Sequence, residues 1–425
     1  MIETREKGEI MDIDLTRRAC CVLLANAILA PSVAHAAEAT PTYPKLSRGI
    51  NFHHLLNWPA VKQLDGKLSY AWPPFQAPNY KVSKQELSAL AGLGFDFIRL
   101  TADPSILIAI NDSRQSYLTE LIRTTCSHLI EAGFKVIFDL HPVAVNPDYA
   151  PAKIVENLTS PVFRSYGDLV ERIAGALKDM PHDKFAFELM NEPSIWGDSG
   201  ALRWQSMLED LHARARTAAP DLPLVLSGPF AGNLQGLVRL DVKPFQHSNV
   251  LYTFHYYAPG AFTHQGFEHY EARRVSDLAW PPRKNNVDQV LERALARTQQ
   301  DSGLDQEAKR RESALTSRLL LNYLKTNHGP EQIRADFNSV AQWASQNGIS
   351  PDRILLGEFG CVAESNHLPV SNDRFEWLRV VRIAAHDFKF SWAFWAYKGY
   401  GGMALANAAS NELDEGILSA LGLKS

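Results

Sequence analysis

The sequence has few cysteines, no strong excess of charge and no long apolar run. Four cysteines in 425 residues are too few for a disulfide-dense scaffold, and we expect Cys126 and Cys361 to be free thiols. A formal net charge of −4 offers no basic surface for nucleic acid or an anionic membrane. No internal repeat or low-complexity linker divides the chain. What remains is an ordinary globular composition, with 45% hydrophobic residues available for a core.

The N-terminal segment has the three parts of a secretory signal peptide. Arg17 and Arg18 precede a short apolar stretch at 19–30, and Ala34-His35-Ala36 has the small-residue pattern of a cleavage site. The apolar stretch is too short to span a bilayer comfortably. We therefore predict that residues 1–36 are removed on export, by the general or the twin-arginine route. The mature protein would be secreted or periplasmic, with no membrane attachment.

Eight short apolar runs alternate with longer amphipathic stretches, a pattern typical of βαβ units and a parallel sheet. The runs show little polar alternation, as expected for strands that are buried on both faces. The predicted strands are 48–55, 95–102, 135–142, 185–193, 222–229, 249–257, 354–360 and 391–398. The predicted helices between them are 83–94, 114–133, 161–180, 202–219, 331–348 and 372–387, with Ser83 and Asn372 as N-caps. The pattern predicts one (β/α)₈ barrel, over residues 37–425.

Residues 262–329 are the largest departure from the barrel pattern. They lie between the sixth and seventh predicted strands and contain two further predicted helices, 287–300 and 306–325. Their charge runs are typical of solvated helix faces. We interpret the segment as a helical insertion on the loop face of the barrel, within the same domain.

Polar side chains end several of the predicted strands, at the face where (β/α)₈ barrels place their active sites. Glu192 ends the fourth strand and Glu358 the seventh, roughly opposite each other around the barrel. Charges at the ends of buried strands are costly unless they are paired or used. Two facing carboxyl groups, one protonated and one ionised, can cleave a glycosidic bond. A separation of about 5–5.5 Å would give retention and a wider one inversion, and the sequence leaves both open.

The strand-end residues resemble glycoside hydrolase family 5, the cellulase family of the Asn-Glu-Pro barrel clan. The resemblance covers about residues 48–398. It rests on Asn191-Glu192-Pro193 after an apolar strand, followed in order by His255-Tyr256-Tyr257 and Gly357-Glu358-Phe359-Gly360. It implies that Glu192 is the acid/base and Glu358 the nucleophile of a retaining hydrolase.

The same resemblance implies roles for the residues around the two glutamates. Arg99 would hold Glu358 ionised, and Tyr257 would donate a hydrogen bond to it. Asn191 would bind the 2-hydroxyl of the sugar, and Trp395 would form the floor of the cleavage subsite. The remaining family positions, which would bind sugar hydroxyls or orient the glutamates, are His141 and His255.

The resemblance implies a β-linked polysaccharide or oligosaccharide as substrate, with an endo-β-1,4-glucanase as the first choice. A β-1,3- or mixed-linkage glucanase, a β-mannanase, an enzyme that trims its producer's exopolysaccharide and a transglycosylase stay open. We expect a monomer that needs no cofactor or metal and binds no nucleic acid. Five aromatic or polar residues on the loop face are further candidates: Trp58 and Trp196 for sugar subsites, Trp280 as a cap over the cleft, and His264 and Gln265 on the same face.

Two other functions are less consistent with the sequence. A metal-dependent barrel hydrolase could use strand-end histidines, but His53 and His54 are adjacent on one strand and point to opposite faces, so at most one enters the site. A sugar-binding protein without catalysis would be expected to lack one glutamate. We interpret Asp139 as structural, on the opposite side of its strand from Leu140.

Overall fold

Eight parallel strands close into a barrel in which each strand is hydrogen-bonded to the next along the chain and the eighth to the first. The strands are Arg48–Leu56, Phe97–Ala102, Lys135–Leu140, Phe185–Glu188, Leu224–Ser227, Val250–His255, Ile354–Phe359 and Ser391–Phe394. All eight predicted strands and the barrel itself are confirmed. The computed structural model describes residues 43–64, 67–246, 249–268, 270–363, 371–399, 402–407 and 410–423. The signal-peptide prediction therefore lies outside the described residues.

Helices surround the barrel between the strands. The α-helices are Lys84–Leu93, Pro104–Ala109, Arg114–Glu131, Pro151–Ile154, Pro161–Leu177, Gly197–Ala218, Leu234–Leu237, Gly260–Thr263, Val287–Gln300, Gln306–Thr326, Pro330–Gln346, Asp373–Asp387 and Glu415–Leu421. Short 3₁₀ helices occupy Pro78–Tyr80, Pro147–Tyr149, Lys243–Phe245, Pro282–Lys284 and Pro351–Arg353, and Val61–Leu64 pairs with Lys67–Tyr70 as a hairpin. Among the described residues, no helix is long and apolar enough to cross a membrane.

The barrel interior contains an apolar layer with a polar layer above it. The apolar layer takes one residue from each strand: Gly49, Phe97, Ile137, Ala186, Val225, Leu251, Leu355 and Ala393. A Cβ at Gly49 would lie 2.2 Å from the Phe97 ring, so the phenyl ring fills the space in front of the first strand. Two residues further on, side chains return to the same face. There the interior becomes polar, at Asn51, Arg99, Asp139 and Glu188, each of which is fully buried.

Both predicted N-caps occupy the N-cap position of their helix, and one of them forms the capping bond. Ser83 forms a capping box with Glu86, in which each side chain accepts a hydrogen bond from the other's backbone N–H. Glu86 also accepts from the Tyr397 hydroxyl over 2.8 Å and pairs with Lys398, so it joins the first helix to the end of the eighth strand. Asn372 occupies the predicted N-cap position, but its side chain makes no capping bond, and Ser371 Oγ accepts from Asp373 N instead.

The insertion is helical, as predicted, but two of its residues lie elsewhere than expected. Trp280 is fully buried, and its indole N–H donates to the His328 carbonyl, so it packs inside the insertion and does not cap the cleft. Gln265 accepts from Leu278 N and donates to Phe262 O, which turns its amide away from the cleft. Both corrections have one cause: these polar groups are satisfied by the insertion's own backbone. Cys126 and Cys361 are buried free thiols, as expected.

Candidate active site

A cleft of about 1150 Å³ opens at the carboxyl ends of the strands and collects most of the predicted site residues. Those that line it are Glu192, Glu358, His141, Asn191, His255, Tyr257, Trp395, Trp58 and Trp196. Arg99 lies beneath the floor and is fully buried. His53 lines the cleft and His54 does not, in agreement with the expectation that at most one enters the site.

The two glutamates face each other across this cleft. One carboxylate oxygen of Glu192 lies within 4.8 Å of one of Glu358. His255 Nδ1 lies between them, 2.7 Å from Glu192 Oε1 and 3.5 Å from Glu358 Oε2. The proximity follows from the fold, because the fourth and seventh strands end on the same rim of the barrel.

The surroundings of the two carboxyl groups differ. Glu358 accepts from Arg99 Nη1 over 2.8 Å and from the Tyr257 hydroxyl over 2.9 Å, and its side chain is 5% exposed. The Glu192 side chain is 35% exposed, and its carboxyl group is hydrogen-bonded to His255. Two donors favour an ionised Glu358, whereas Glu192 has a path to a ligand in the cleft.

Both carboxyl groups are strongly influenced by removal from bulk water. Burial raises the pKa of Glu192 to about 7, with Arg99 opposing the rise. Burial also raises the pKa of Glu358 to about 7, opposed by the neighbouring His255 and Arg99 and reinforced by Glu192. Because the groups repel each other when both are ionised, they titrate as a pair that holds one proton over an intermediate pH range. The more numerous donors to Glu358 place that proton on Glu192.

Arg99 is the centre of the polar layer inside the barrel. Its Nε and Nη2 donate to Glu188, over 2.7 and 2.8 Å, and Nη1 donates to Glu358. Its other contacts are Asn51 Oδ1 at 3.0 Å, Asn191 Oδ1 at 2.8 Å and Asp139 Oδ2 at 2.9 Å. With all its N–H groups engaged, the guanidinium is fixed in the barrel axis beneath the cleft.

A second chain of contacts begins at Asp139. Its Oδ2 lies 2.8 Å from His141 Nδ1, and His141 Nε2 lies 3.3 Å from Asn191 Nδ2. Burial holds the pKa of His141 well below its usual range, so the ring is neutral. Asp139 then accepts from Nδ1–H, and Nε2 accepts from Asn191. Asp139 lies on the opposite side of its strand from Leu140, as predicted, and it occupies the same interior layer as Arg99.

Three tryptophans flank the carboxyl pair. Trp395 is nearly buried, and its ring stacks on His141 with centroids 5.4 Å apart. Trp58 is 36% exposed, and its indole N–H donates to His53 Nε2 over 2.7 Å. Trp196 is 63% exposed and stacks on Phe230 at an interplanar angle of 7°. All three present ring surface on which a sugar can stack.

Glu188 and Asn51 were missed in the sequence, although a signal for Glu188 was present. It lies four residues before Glu192, inside an otherwise apolar strand, where an ionisable side chain needs a partner. Asn51 gives no such signal, since its partners are Arg99 and the carbonyls of Gly357, Ala393 and Phe394. A second cavity, of about 1000 Å³, shares Trp58 and His53 with the cleft and is lined by Glu86 and Lys398.

Within the described part of the chain, one group of side chains has the proximity needed to hold a metal ion: Glu192, His255 and Glu358. It coincides with the facing carboxyl pair. The other histidines that line the cleft are engaged in contacts with protein groups: His141 with Asp139 and Asn191, His53 with Thr101 and Trp58, and His264 with Thr263.

Comparison with known proteins identifies the family. The sequence pattern of the cellulase family, glycosyl hydrolase family 5, matches residues 66–401. The chain is 23% identical over 412 residues to endoglucanase 3 of Fibrobacter succinogenes, and the match covers 92% of this chain and 55% of that protein. It is 26% identical over 206 residues to cellodextrinase A of Ruminococcus flavefaciens, covering 44% of this chain and 54% of that protein. The chain thus spans about half the length of these relatives.

The fold has close counterparts among solved structures. A hyperthermophilic endo-β-1,4-glucanase in complex with substrate superposes with a TM-score of 0.62 at 22% identity, over 89% of this chain and 97% of that one. This likeness concerns the barrel. Together with the family match, it confirms what the strand-end residues indicated: the chain belongs to glycosyl hydrolase family 5, the cellulase family.

Proposed function

We propose that the protein is a retaining endo-β-1,4-glucanase that cleaves its substrate by double displacement. The supporting observation is the separation of the carboxyl groups, within 4.8 Å between one oxygen of Glu192 and one of Glu358. Retaining enzymes have about 5–5.5 Å between the two groups, whereas inverting enzymes need about 6.5–9.5 Å to admit water.

The first half of the proposed reaction replaces the glycosidic bond by a bond to the enzyme. The ionised Glu358 attacks the anomeric carbon, while Glu192 gives its proton to the departing glycosidic oxygen. Arg99 and Tyr257, at 2.8 and 2.9 Å, hold the attacking carboxylate in position. Burial favours this step as well, because it keeps Glu192 protonated near neutral pH.

The second half regenerates the enzyme. Glu192, now ionised, takes a proton from water, and the oxygen of that water displaces Glu358 from the anomeric carbon. His255 Nδ1, 2.7 Å from Glu192 Oε1, positions the Glu192 carboxyl group in both halves. Burial lowers the pKa of His255, so it acts as a neutral imidazole.

The substrate proposal rests on the shape of the site and on the relatives. Exposed indoles at Trp58 and Trp196 follow the first and fourth strands and line the same cleft as the carboxyl pair, which supports binding of several sugar units. The relatives named above are an endoglucanase, a cellodextrinase and an endo-β-1,4-glucanase. The assay must distinguish this proposal from three alternatives: cleavage of β-1,3- or mixed-linkage glucan, cleavage of mannan, and transfer to a second sugar.

A product analysis tests this proposal. The protein is incubated with soluble β-1,4-glucan, mixed-linkage glucan, β-1,3-glucan, mannan and xylan, and the first anomer released is followed by ¹H NMR. We expect β-1,4-glucan to be cleaved, the viscosity to fall before many reducing ends appear, and the β-anomer to form first. Initial α-anomer would contradict retention. Cleavage of mannan alone, or longer products than the substrate, would contradict the glucanase assignment.

We also propose that the protein is exported after cleavage behind Ala36. The proposal rests on the arginine pair, apolar stretch and small-residue site of the N-terminal sequence. N-terminal sequencing of the protein from culture medium or periplasm should begin at Ala37. Full-length protein confined to the cytoplasm would contradict it.

A further inference from the structure

We infer that Glu188 is a positioning residue that fixes the Arg99 guanidinium and, through it, the carboxylate of Glu358. The inference rests on the proposed function, because it takes Glu358 as the nucleophile. Glu188 does not line the cleft and is fully buried inside the barrel, so it acts without contact with substrate.

The contact between Glu188 and Arg99 is a two-point one. Arg99 Nε donates to Glu188 Oε2 over 2.7 Å, and Arg99 Nη2 donates to Glu188 Oε1 over 2.8 Å. Two parallel hydrogen bonds determine the plane of the guanidinium as well as its position, which a single bond would not do. Register places Glu188 beside Asp139 of the third strand, within the same interior layer.

The paired hydrogen bonds to Glu188 orient the opposite edge of the Arg99 guanidinium towards Glu358 and Asn191. Nη1 is left to donate to Glu358 Oε1 over 2.8 Å and to Asn51, and Nη2 also donates to Asn191 Oδ1 over 2.8 Å. Glu358 and Asn191 both line the cleft. Rotation of the guanidinium would break both contacts at once, so the geometry of the nucleophile depends on a residue on the far side of Arg99.

Glu188 also influences the charge that Glu358 experiences. The single positive charge of Arg99 is shared among Asp139, Glu188 and Glu358. Burial raises the pKa of Glu188 to about 7, which Arg99 opposes and Asp139 reinforces. The other ionisable groups that face this pair of glutamates are His255, Tyr257, Glu192 and Tyr166. Without the Glu188 charge, the positive charge of Arg99 stabilises the ionised form of Glu358 more strongly. The pKa of Glu358 therefore falls.

Two variants of Glu188 separate its geometric effect from its electrostatic one. Glu188→Gln keeps the shape but removes the charge and one acceptor. We expect kcat on an aryl β-cellobioside to fall about 100-fold with KM unchanged. The acidic limb of the pH profile, over which kcat/KM falls as the pH decreases, should move to lower pH by about one unit. Glu188→Asp keeps the charge but cannot reach both nitrogens, so the acidic limb should stay while kcat falls about tenfold.

Asp103→Asn is the matched control. Asp103 is also a buried carboxylate, but it accepts hydrogen bonds from Ser105, at the start of a short helix. This variant should keep both kcat and the acidic limb. A folded Glu188→Gln with the wild-type pH profile and kcat would overturn the inference. If that variant does not fold, wild-type kcat in Glu188→Asp would overturn it.

Failure of both Glu188 variants to fold, with Asp103→Asn folded, would also overturn the inference, because Glu188 would then serve stability alone. Failure of the proposed function has a different signature. In that case the wild-type protein does not cleave β-glycosides, or Glu358→Ala remains active, whatever the Glu188 variants do.

Discussion

Glu192 and Glu358 bring carboxylate oxygens within 4.8 Å of each other from the fourth and seventh strands of the barrel. This proximity is consistent with the separation of about 5–5.5 Å in retaining enzymes and smaller than the separation of about 6.5–9.5 Å with which inverting enzymes admit a water. The relationship therefore makes a covalent glycosyl-enzyme intermediate the expected route, and the first predictions concern its two partners.

Glu358→Ala should lower turnover by about 10⁴-fold or more, because a whole bond-making step is lost. Azide should restore part of the activity by entering the space left by the carboxylate, and the product should be the α-glycosyl azide. The reaction is followed with an activated aryl glycoside and the product identified by NMR. Glu376→Ala, at an exposed helix residue paired with Arg379, is the control and should be fully active. A folded Glu358→Ala with near-normal turnover would exclude the nucleophile assignment.

Glu192→Ala should affect substrates according to their leaving group. Glycosides with a poor leaving group should react about 10²–10⁴-fold more slowly, since they need the proton. Aryl glycosides with a good leaving group need little protonation, so their first step should be nearly unaffected. Rates are compared over a series of aryl glycosides of graded leaving-group pKa. A uniform loss over the series would argue against Glu192 as the acid.

The pH dependence of kcat/KM should be bell-shaped, with its maximum close to neutrality. The acidic limb reports ionisation of Glu358 and the alkaline limb loss of the proton from Glu192, and burial raises the pKa of each to about 7. Activity should therefore fall as the pH drops below the Glu358 pKa or rises above that of Glu192. Glu192→Gln should abolish the alkaline limb on an activated substrate. Persistence of that limb would assign it to another group.

Trp196→Ala should weaken binding of long oligosaccharides. The exposed indole stacks on Phe230, lines the cleft and follows Glu192 by four residues in the chain. Loss of one sugar stacking surface should raise KM for cellohexaose about tenfold, with little change for an aryl cellobioside. Trp72→Ala is the matched control, because Trp72 is 38% exposed but packs on Tyr117 and does not line the cleft. Equal effects of the two substitutions would contradict a sugar contact at Trp196.

Trp280→Ala should destabilise the protein without altering the chemistry at the cleft. The indole is fully buried and donates to the His328 carbonyl, so its removal leaves a large cavity and an unpaired carbonyl. We expect a loss of about 3–5 kcal/mol in the free energy of unfolding, measured by denaturant titration. Normal stability combined with altered product lengths would show instead that Trp280 contacts substrate.

The sequence predicted the barrel well because each buried strand is a continuous apolar run that ends in a turn. It also identified the residues around the two glutamates, because polar side chains at strand ends are conspicuous after such runs. The structure brings two of these residues, Arg99 and Glu358, to within 2.8 Å of each other. Their distance could not be derived from sequence, since it depends on the closure of the barrel.

The errors occurred where a side chain's direction depends on the partner it finds. The contact of Asp139 with Arg99 was likewise not predicted, although its direction away from Leu140 was. Trp280 and Gln265 were placed at the cleft because they follow the sixth strand, although backbone groups of the insertion bind both. Asn372 was a reasonable N-cap by residue type, but Ser371 supplies the bond.

Glu86 has a consequence for how changes in one part of this barrel reach another. Its carboxylate completes the capping box of the first helix and also contacts Tyr397 and Lys398 after the last strand. A side chain from the first helix therefore links the beginning of the barrel to its end, where the eighth strand pairs with the first. Alterations at the beginning of that helix should reach the second cavity through Lys398, which lines it together with Trp58 and His53.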